Sequence, residues 1–207
     1  HGKGGEDGVI QRELERRKIA YTGSGPQGSY RAFDKALSKT IFKKHNISTP
    51  LGTVVTRRDY RRKLARFSFP VFSKPLADGS SIGVFQVTSL EDFIRNEKKI
   101  FGAQDRLLVE EKIVGREITV GIFKNKALPV IELRPKRDFY DYKAKYTAGQ
   151  TEYLVPAPLE PRLAQRAQRI ALAAHRALGL RDYSRVDLML DEEGKPHYRL
   201  STSDIIL

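Results

Sequence analysis

The strictest pattern in this chain is a strand that turns back on itself. Ile118, Val120 and Ile122 alternate with Thr119, Gly121 and Phe123. A period of two marks a strand with one buried face, expected here from Arg116 to Phe123. Lys124-Asn125-Lys126 then turns the chain into a partner strand, Ala127 to Leu133. Around this hairpin, helical and extended patterns take turns along the sequence.

Ahead of it, Val9 to Lys18 reads as a short exposed helix, and Tyr21 to Gly28 is glycine-rich loop chemistry. Phe33, Leu37 and Ile41 recur every four residues and predict a helix over 31–45. Thr56 and Asp59 form a capping-box pattern for a helix to about Phe67, rich in arginine from Arg57 to Arg66. Phe69 to Lys74 and Ile82 to Val87 predict two strands of a hairpin around Asp78-Gly79-Ser80-Ser81. Ser89 and Asp92 repeat the capping pattern for a helix to Ile100, and Arg106 to Glu111 reads as a strand. Residues 134–153 show almost no periodicity and are expected to form a long loop. Glu160 to Leu178 is the longest helix pattern, with Pro161 near its start and Gly179 at its end. A strand from Tyr183 to Leu190, a turn to Gly194 and a closing strand from His197 follow.

The chain has 207 residues and no cysteine. A chain of this length buries about 70% of its unfolded surface and needs no disulfide to fold. Disulfide scaffolds, thiolate metal sites and cysteine nucleophiles are excluded. No apolar run approaches the ~18 residues of a membrane span. The opening residues resemble neither a signal peptide nor a transit peptide, and a cytoplasmic location is expected. The net charge of +13 implies attraction to something anionic, with solvated surface as the plain alternative.

Four places could carry chemistry. Lys74 ends a strand before the Gly79-Ser80-Ser81 turn, where backbone N–H groups, hydroxyls and an ammonium suit a polyphosphate, or simply make a polar hairpin. Glu110, Glu111 and Lys112 close a strand and Glu117 lies six residues beyond Glu111, a set that suits a nucleoside or a charged surface end. Arg185 and Asp187 lie two apart in a strand and share a face. That places a magnesium-type ligand beside an oxyanion-stabilising cation, or makes a structural ion pair. Tyrosines and lysines interleave from Phe139 to Tyr146, as in a lid over an anionic substrate or a surface for single-stranded nucleic acid.

The order and spacing of these segments resemble the D-alanine–D-alanine ligases of the ATP-grasp superfamily. The match includes residues 1–8 (His-Gly-Lys-Gly-Gly-Glu-Asp-Gly), 21–25, Asp34-Lys35, Lys74-Pro75 and Gly79-Ser80-Ser81. It continues through Glu111-Lys112, Gly115 with Glu117, Phe139 to Tyr146, Thr151-Glu152-Tyr153 and Arg185-Val186-Asp187. The resemblance implies an α+β, ATP-grasp fold of two subdomains with ATP between them. Residues 1–30 would be the remnant of an N-terminal substrate-binding domain, 31–115 the first ATP-grasp subdomain, and 116–207 the second, with a lid at 134–153.

It also implies roles. Lys35 and Lys74 contact the phosphates, Glu111, Lys112 and Val114 the adenine, and Glu117 the ribose. Tyr140 belongs to the nucleotide site. Arg185 stabilises the reacting oxyanion, and Lys145 and Tyr146 close over the site, with Tyr146 on Ser80. His1, Glu6 and Ser203 meet the amino-acid substrate, and Asp187 binds Mg2+ or Mn2+. The implied activity is ATP-dependent joining of two D-alanines through an acyl phosphate, for peptidoglycan precursors. The implied form is a homodimer. No nucleic acid or membrane partner is expected: the charge and the arginine run prompt one, but no recognised nucleic-acid motif is present.

Two departures from the family stand out. An N-terminal segment and a C-terminal helix are expected and not seen. Leu200 runs into Ser201-Thr202-Ser203 where the family has Glu-x-Asn. Either a short stretch is left out there, or Ser201 and Ser203 replace metal ligands. Two other readings remain: a different ATP-grasp carboxylate–amine ligase, and a non-catalytic nucleotide-binding relative.

Overall fold

The structure, a computed structural model, describes residues 2, 4–78, 82–135, 151–192 and the backbone of 196–198. Its described strands form two antiparallel sheets joined by one short connection. The first sheet contains β1 (Gly52–Thr56), β2 (Val71–Pro75), β3 (Phe85–Val87) and β4 (Arg106–Glu111), in the order β1-β4-β2-β3. The second contains β5 (Gly115–Phe123), β6 (Lys126–Pro135), β7 (Thr151–Leu154), β8 (Tyr183–Asp191) and β9 (Pro196–Tyr198), in the order β7-β6-β5-β8-β9.

The β5–β6 hairpin forms as its alternation predicts. Lys124 and Asn125 take positive φ values of 46° and 60°, the backbone of a two-residue turn that matches strand twist. Ile118, Val120 and Ile122 point to one side and are buried, with Val186, Leu188 and Leu190 of β8 beside them. The long helix Pro161–Leu178 lays Ala167, Ala171, Ala174 and Leu178 on that surface. Alanines let the helix approach closely. Its end is a Schellman motif: Leu180 N donates to His175 O at 3.1 Å and Gly179 N to Arg176 O at 3.0 Å, with Gly179 left-handed at φ 73°.

The N-terminal helices are arranged differently from the expectation. The first, α1, spans Val9–Arg16, ending short of Lys18. The loop assigned to 21–28 already contains the start of α2, Pro26–Phe33, because Pro26 presets φ for a first helical turn. The single helix expected over 31–45 is two. Asp34 is extended (φ −88°, ψ 105°), and its carboxylate accepts from Leu37 N at 2.9 Å, so α3 restarts at Lys35 and runs to Lys44. An Asp side chain competing for a backbone N–H is what breaks the run.

The first sheet carries a core on each face. On the outer face lie α4 (Tyr60–Leu64), α5 (Leu90–Arg95) and α6 (Glu97–Phe101), packing Tyr60, Phe93 and Phe101 against Val55, Val71, Leu107 and Val109. The helix expected to Phe67 ends at Leu64, and the one expected to Ile100 breaks at Asn96, whose amide bonds back to Asp92. Ser89 does cap α5, accepting from Asp92 N at 3.1 Å. Part of the arginine run has a packing role: Arg57 lies 4.6 Å over the Phe101 ring and Arg61 5.7 Å over Tyr60.

On the inner face, α3 packs Phe42 against Leu108 in the same core as the long helix, which is labelled α7. Strand β1 has no counterpart in the sequence reading. Strand β2 begins after Pro70, which cannot donate to a ladder, and β3 covers only the end of the expected strand 82–87. The loop expected over 134–153 is shortened at both ends. Arg134 and Pro135 continue β6 and pair with Glu152 and Thr151 of β7. Residues 136–150 lie outside the described residues.

Gly115 opens β5 where it passes β8. A Cβ there would sit 1.7 Å from Leu190 O, so only glycine permits this approach. Gly115→Ala is expected to lower unfolding stability by about 1–3 kcal/mol, the usual range for overpacking. Denaturant titration of the two proteins measures it, and an unchanged midpoint would contradict the close contact.

Candidate functional site

Between the inner face of the first sheet and the open face of the second lies a cleft of about 700 Å3. Its floor is the β4–β5 connection, Lys112, Ile113 and Val114. Phe72 of β2 faces it from one sheet, and Leu133 and Met189 face it from the other. Three apolar side chains around exposed backbone make a slot for a flat ring.

Lys74 stands at the edge of this slot, on the same face of β2 as Phe72. Its ammonium donates to Glu110 Oε2 at 2.7 Å. The register pairs Phe72 with Glu110 and Lys74 with Leu108, so Glu110 belongs to the cleft face of β4 and Glu111 to the other. The resemblance names Glu111 at this strand end, and its neighbour Glu110 is the acid that meets Lys74. Glu111 instead accepts from Leu51 N at 2.7 Å, while still bordering the cleft. Glu110 is wholly buried and takes Lys39 on Oε1 at 2.5 Å. Burial opposes its ionisation, but Lys74 and Lys39 outweigh that and hold its carboxyl below the usual range.

Lys35 opens α3. Its amide donates to Leu76 O at 3.0 Å and its ammonium to Asp78 O at 2.7 Å. It is 3% exposed. Burial first, then the charge of Lys74, brings its pKa down from 10.5 to about 7. Two cations thus face each other where the chain leaves β2, an arrangement that an anion between them would relieve.

Along β8, Met189, Asp187 and Arg185 follow one another on the open face. Asp187 is 1% exposed; its Oδ1 accepts from Thr119 Oγ1 at 2.6 Å and lies 3.3 Å from Arg185 Nε. The ion pair foreseen as the structural alternative therefore exists. A carboxylate beside a hydroxyl is hard oxygen chemistry that suits Mg2+, although no group of three acidic or histidine side chains is found among the described residues. Glu117 is buried on β5 and borders the cleft. Glu132, at the mouth, is held by Arg116 (2.7 and 3.1 Å) and Arg134 (3.2 and 3.4 Å).

Of the residues expected from sequence, the structure brings Lys74, Glu111, Lys112, Val114 and Glu117 to the cleft wall. Lys35 joins through Lys74, and Asp187 and Arg185 through Met189. Lys112 reaches Gln86 Oε1 at 3.2 Å. Glu6 is elsewhere, accepting from Gly2 N at 2.6 Å ahead of α1. His1, Ser80, Tyr140, Lys145, Tyr146 and Ser203 lie outside the described residues. The sequence reading missed roles for Glu110, Lys39, Thr119, Phe72 and Met189. Two had a signal: Glu110 keeps parity with Leu108 in its strand, and Lys39 lies one helical turn after Lys35.

Comparison with known proteins matches this arrangement. The family model described as the C-terminus of D-Ala–D-Ala ligase covers residues 41–199. The D-alanine–D-alanine ligase of Methylacidiphilum infernorum is 45% identical over 196 residues, which are 95% of this chain and 63% of that protein. The crystal structure of the Bacillus anthracis D-alanine–D-alanine ligase superposes with a TM-score of 0.84 at 35% identity, covering 96% of this chain and 66% of that one. The same enzyme complexed with ATP gives 0.81 at 34%, covering 97% and 65%. The chain thus spans somewhat under two thirds of the curated relative's length. With its two antiparallel sheets around one cleft, the chain has the ATP-grasp fold and belongs to the D-alanine–D-alanine ligase family, over the part its C-terminal model describes.

Proposed function

We propose that this chain forms the nucleotide-holding part of an enzyme that joins two D-alanines at the expense of ATP. One observation carries most of the weight: apolar walls from Phe72, Leu133 and Met189 lead to a lysine end at Lys74 and Lys35. That succession fits a purine followed by a polyphosphate. In this reading 31–115 and 116–207 are the two ATP-grasp subdomains, each with its own sheet, and 1–30 belongs to a preceding domain.

The mechanism follows from charge placement. Phosphoryl transfer requires positioning and neutralisation more than covalent help from the protein. Lys35 and Lys74 neutralise the phosphates, and Glu117 holds the ribose hydroxyls. The strand end at Glu111, Lys112 and Val114 receives the adenine. Attack by the first D-alanine carboxylate on the γ-phosphorus gives an acyl phosphate and ADP. The amine of the second D-alanine adds to the acyl carbon, and phosphate leaves from the tetrahedral intermediate. Arg185 stabilises the oxyanion of that step. Asp187 is the residue to hold Mg2+ or Mn2+, which would screen phosphate charge. Thr119 fixes the carboxylate's orientation. We read the full-length protein as a cytoplasmic homodimer supplying peptidoglycan precursors. No described helix is long and apolar enough to cross a membrane.

The direct test is phosphate release by the full-length protein with ATP and Mg2+. Release is expected only when D-alanine is added, with D-alanyl-D-alanine as product. Absence of release, or release indifferent to D-alanine, would overturn the reading. Arg185→Met is expected to lower kcat by about 10²–10³-fold, as for loss of an oxyanion-stabilising donor. Steady-state kinetics across D-alanine concentrations would measure it.

A pH dependence follows from Lys35. Its ammonium loses its proton near pH 7 in the free protein, and a triphosphate would raise that value on binding. Between about pH 7 and 9 binding should therefore take up a proton, and affinity should fall as pH rises. Calorimetry at pH 8 in buffers of different ionisation enthalpy would register the uptake. Lys35→Met should abolish it.

A further inference from the structure

The structure contains a lysine that no part of the mechanism above uses. Lys39 lies one turn after Lys35 on α3, with its side chain 14% exposed. It is not part of the cleft wall. Its three ammonium protons meet three acceptors: Glu110 Oε1 at 2.5 Å, Pro50 O at 2.6 Å and Thr49 Oγ1 at 3.1 Å. Glu110 is fully buried and offers its other oxygen to Lys74 at 2.7 Å. One carboxylate is therefore shared between a lysine facing the cleft and a lysine behind it.

The backbone leaves room for this arrangement. A Cβ on Gly52 of β1 would come within 2.8 Å of Glu110 Cγ and 3.4 Å of Lys39 Cε. Glycine at that point keeps open the space where the two side chains meet.

Consider the carboxylate with Lys39 removed. Both oxygens would turn to the single remaining ammonium, and Lys74 and Glu110 would become a closed neutral pair. A closed pair has less to offer an incoming phosphate. With Lys39 present, the group keeps a net positive charge, and Lys74 gives Glu110 one oxygen's share of its protons. Thr49 and Pro50 fix Lys39 in turn, so the geometry is anchored to the loop before β1.

We propose that Lys39 is a positioning residue for nucleotide binding, acting through Glu110 to hold the Lys74 ammonium directed toward the phosphates. This rests on reading the cleft as a nucleotide site. Lys39 does not line the cleft. Its influence is expected chiefly at the polyphosphate end, which it reaches through Glu110 and Lys74, while its one other link to the cleft wall is the backbone carbonyl of Pro50.

The test is equilibrium binding to the full-length protein of two probes: the ATP analogue with a β,γ-imido bridge, with Mg2+, and adenosine. Lys39→Met should weaken the triphosphate about tenfold and leave adenosine within about twofold, the size expected for coupled charges in contact. Lys39→Arg, which restores the cation, should recover most of the loss. In a Glu110→Gln background, Lys39→Met should add little, since the residue it acts through is already neutral. Thermal melting of each variant checks folding, and Lys39→Gln replaces Lys39→Met if the latter melts below the assay temperature. Equal loss for triphosphate and adenosine, additive effects with Glu110→Gln, or no loss at all would each overturn the proposal. Failure of the unmodified protein to bind the analogue would instead remove the nucleotide reading, and the inference with it.

Discussion

A carboxylate taken wholly out of water costs several kcal/mol unless cations meet it. Glu110 is such a carboxylate, and much of the site is arranged by the need to satisfy it. Two lysines from different elements converge on it, one from β2 and one from α3. That fixes α3 against the inner face of the first sheet. It also places the first residue of α3, Lys35, beside the end of β2. The same requirement that stabilises one buried acid therefore concentrates positive charge at one end of the cleft.

The opposite wall obeys different rules. Strand β8 alternates between the core under α7 and the face toward the cleft, so Val186, Leu188 and Leu190 point into that core while Arg185, Asp187 and Met189 line up on the other side. Apolar contact with the alanine-rich helix holds the strand, and the strand aims the polar groups. Stability and chemistry are carried by opposite faces of one strand.

What the sequence reveals is what is encoded locally. The β5–β6 hairpin is written in strict alternation and a two-residue turn, and α7 in Pro161, its apolar stripe and Gly179. The family resemblance was likewise legible, because Lys74, Glu117, Arg185 and Asp187 stand in recognisable short motifs. What was hidden depends on partners far away in sequence. Asp34 breaks a helix that periodicity makes continuous, because its carboxylate finds Leu37 N. Strand β1 owes its state to pairing with β4. The choice between Glu110 and Glu111 is a matter of register with β2: parity with Leu108 puts Glu110 on one face, and the pairing with Phe72 makes that face the cleft's. Lys39 acquires meaning only once residues 49, 50 and 110 are seen around it.

The core behind the cleft is continuous. Phe42 and Leu108, from the first sheet's side, belong to the same packed cluster as Ile118, Val186 and Leu188 from the second. The two walls are therefore not flaps swinging on the 112–114 connection alone. They are leaned together from the back, like the covers of a book bound along the whole spine. The gape of the cleft is set by the volume of side chains that do not line it, so the fit of anything bound there is partly decided in the part of the molecule farthest from solvent.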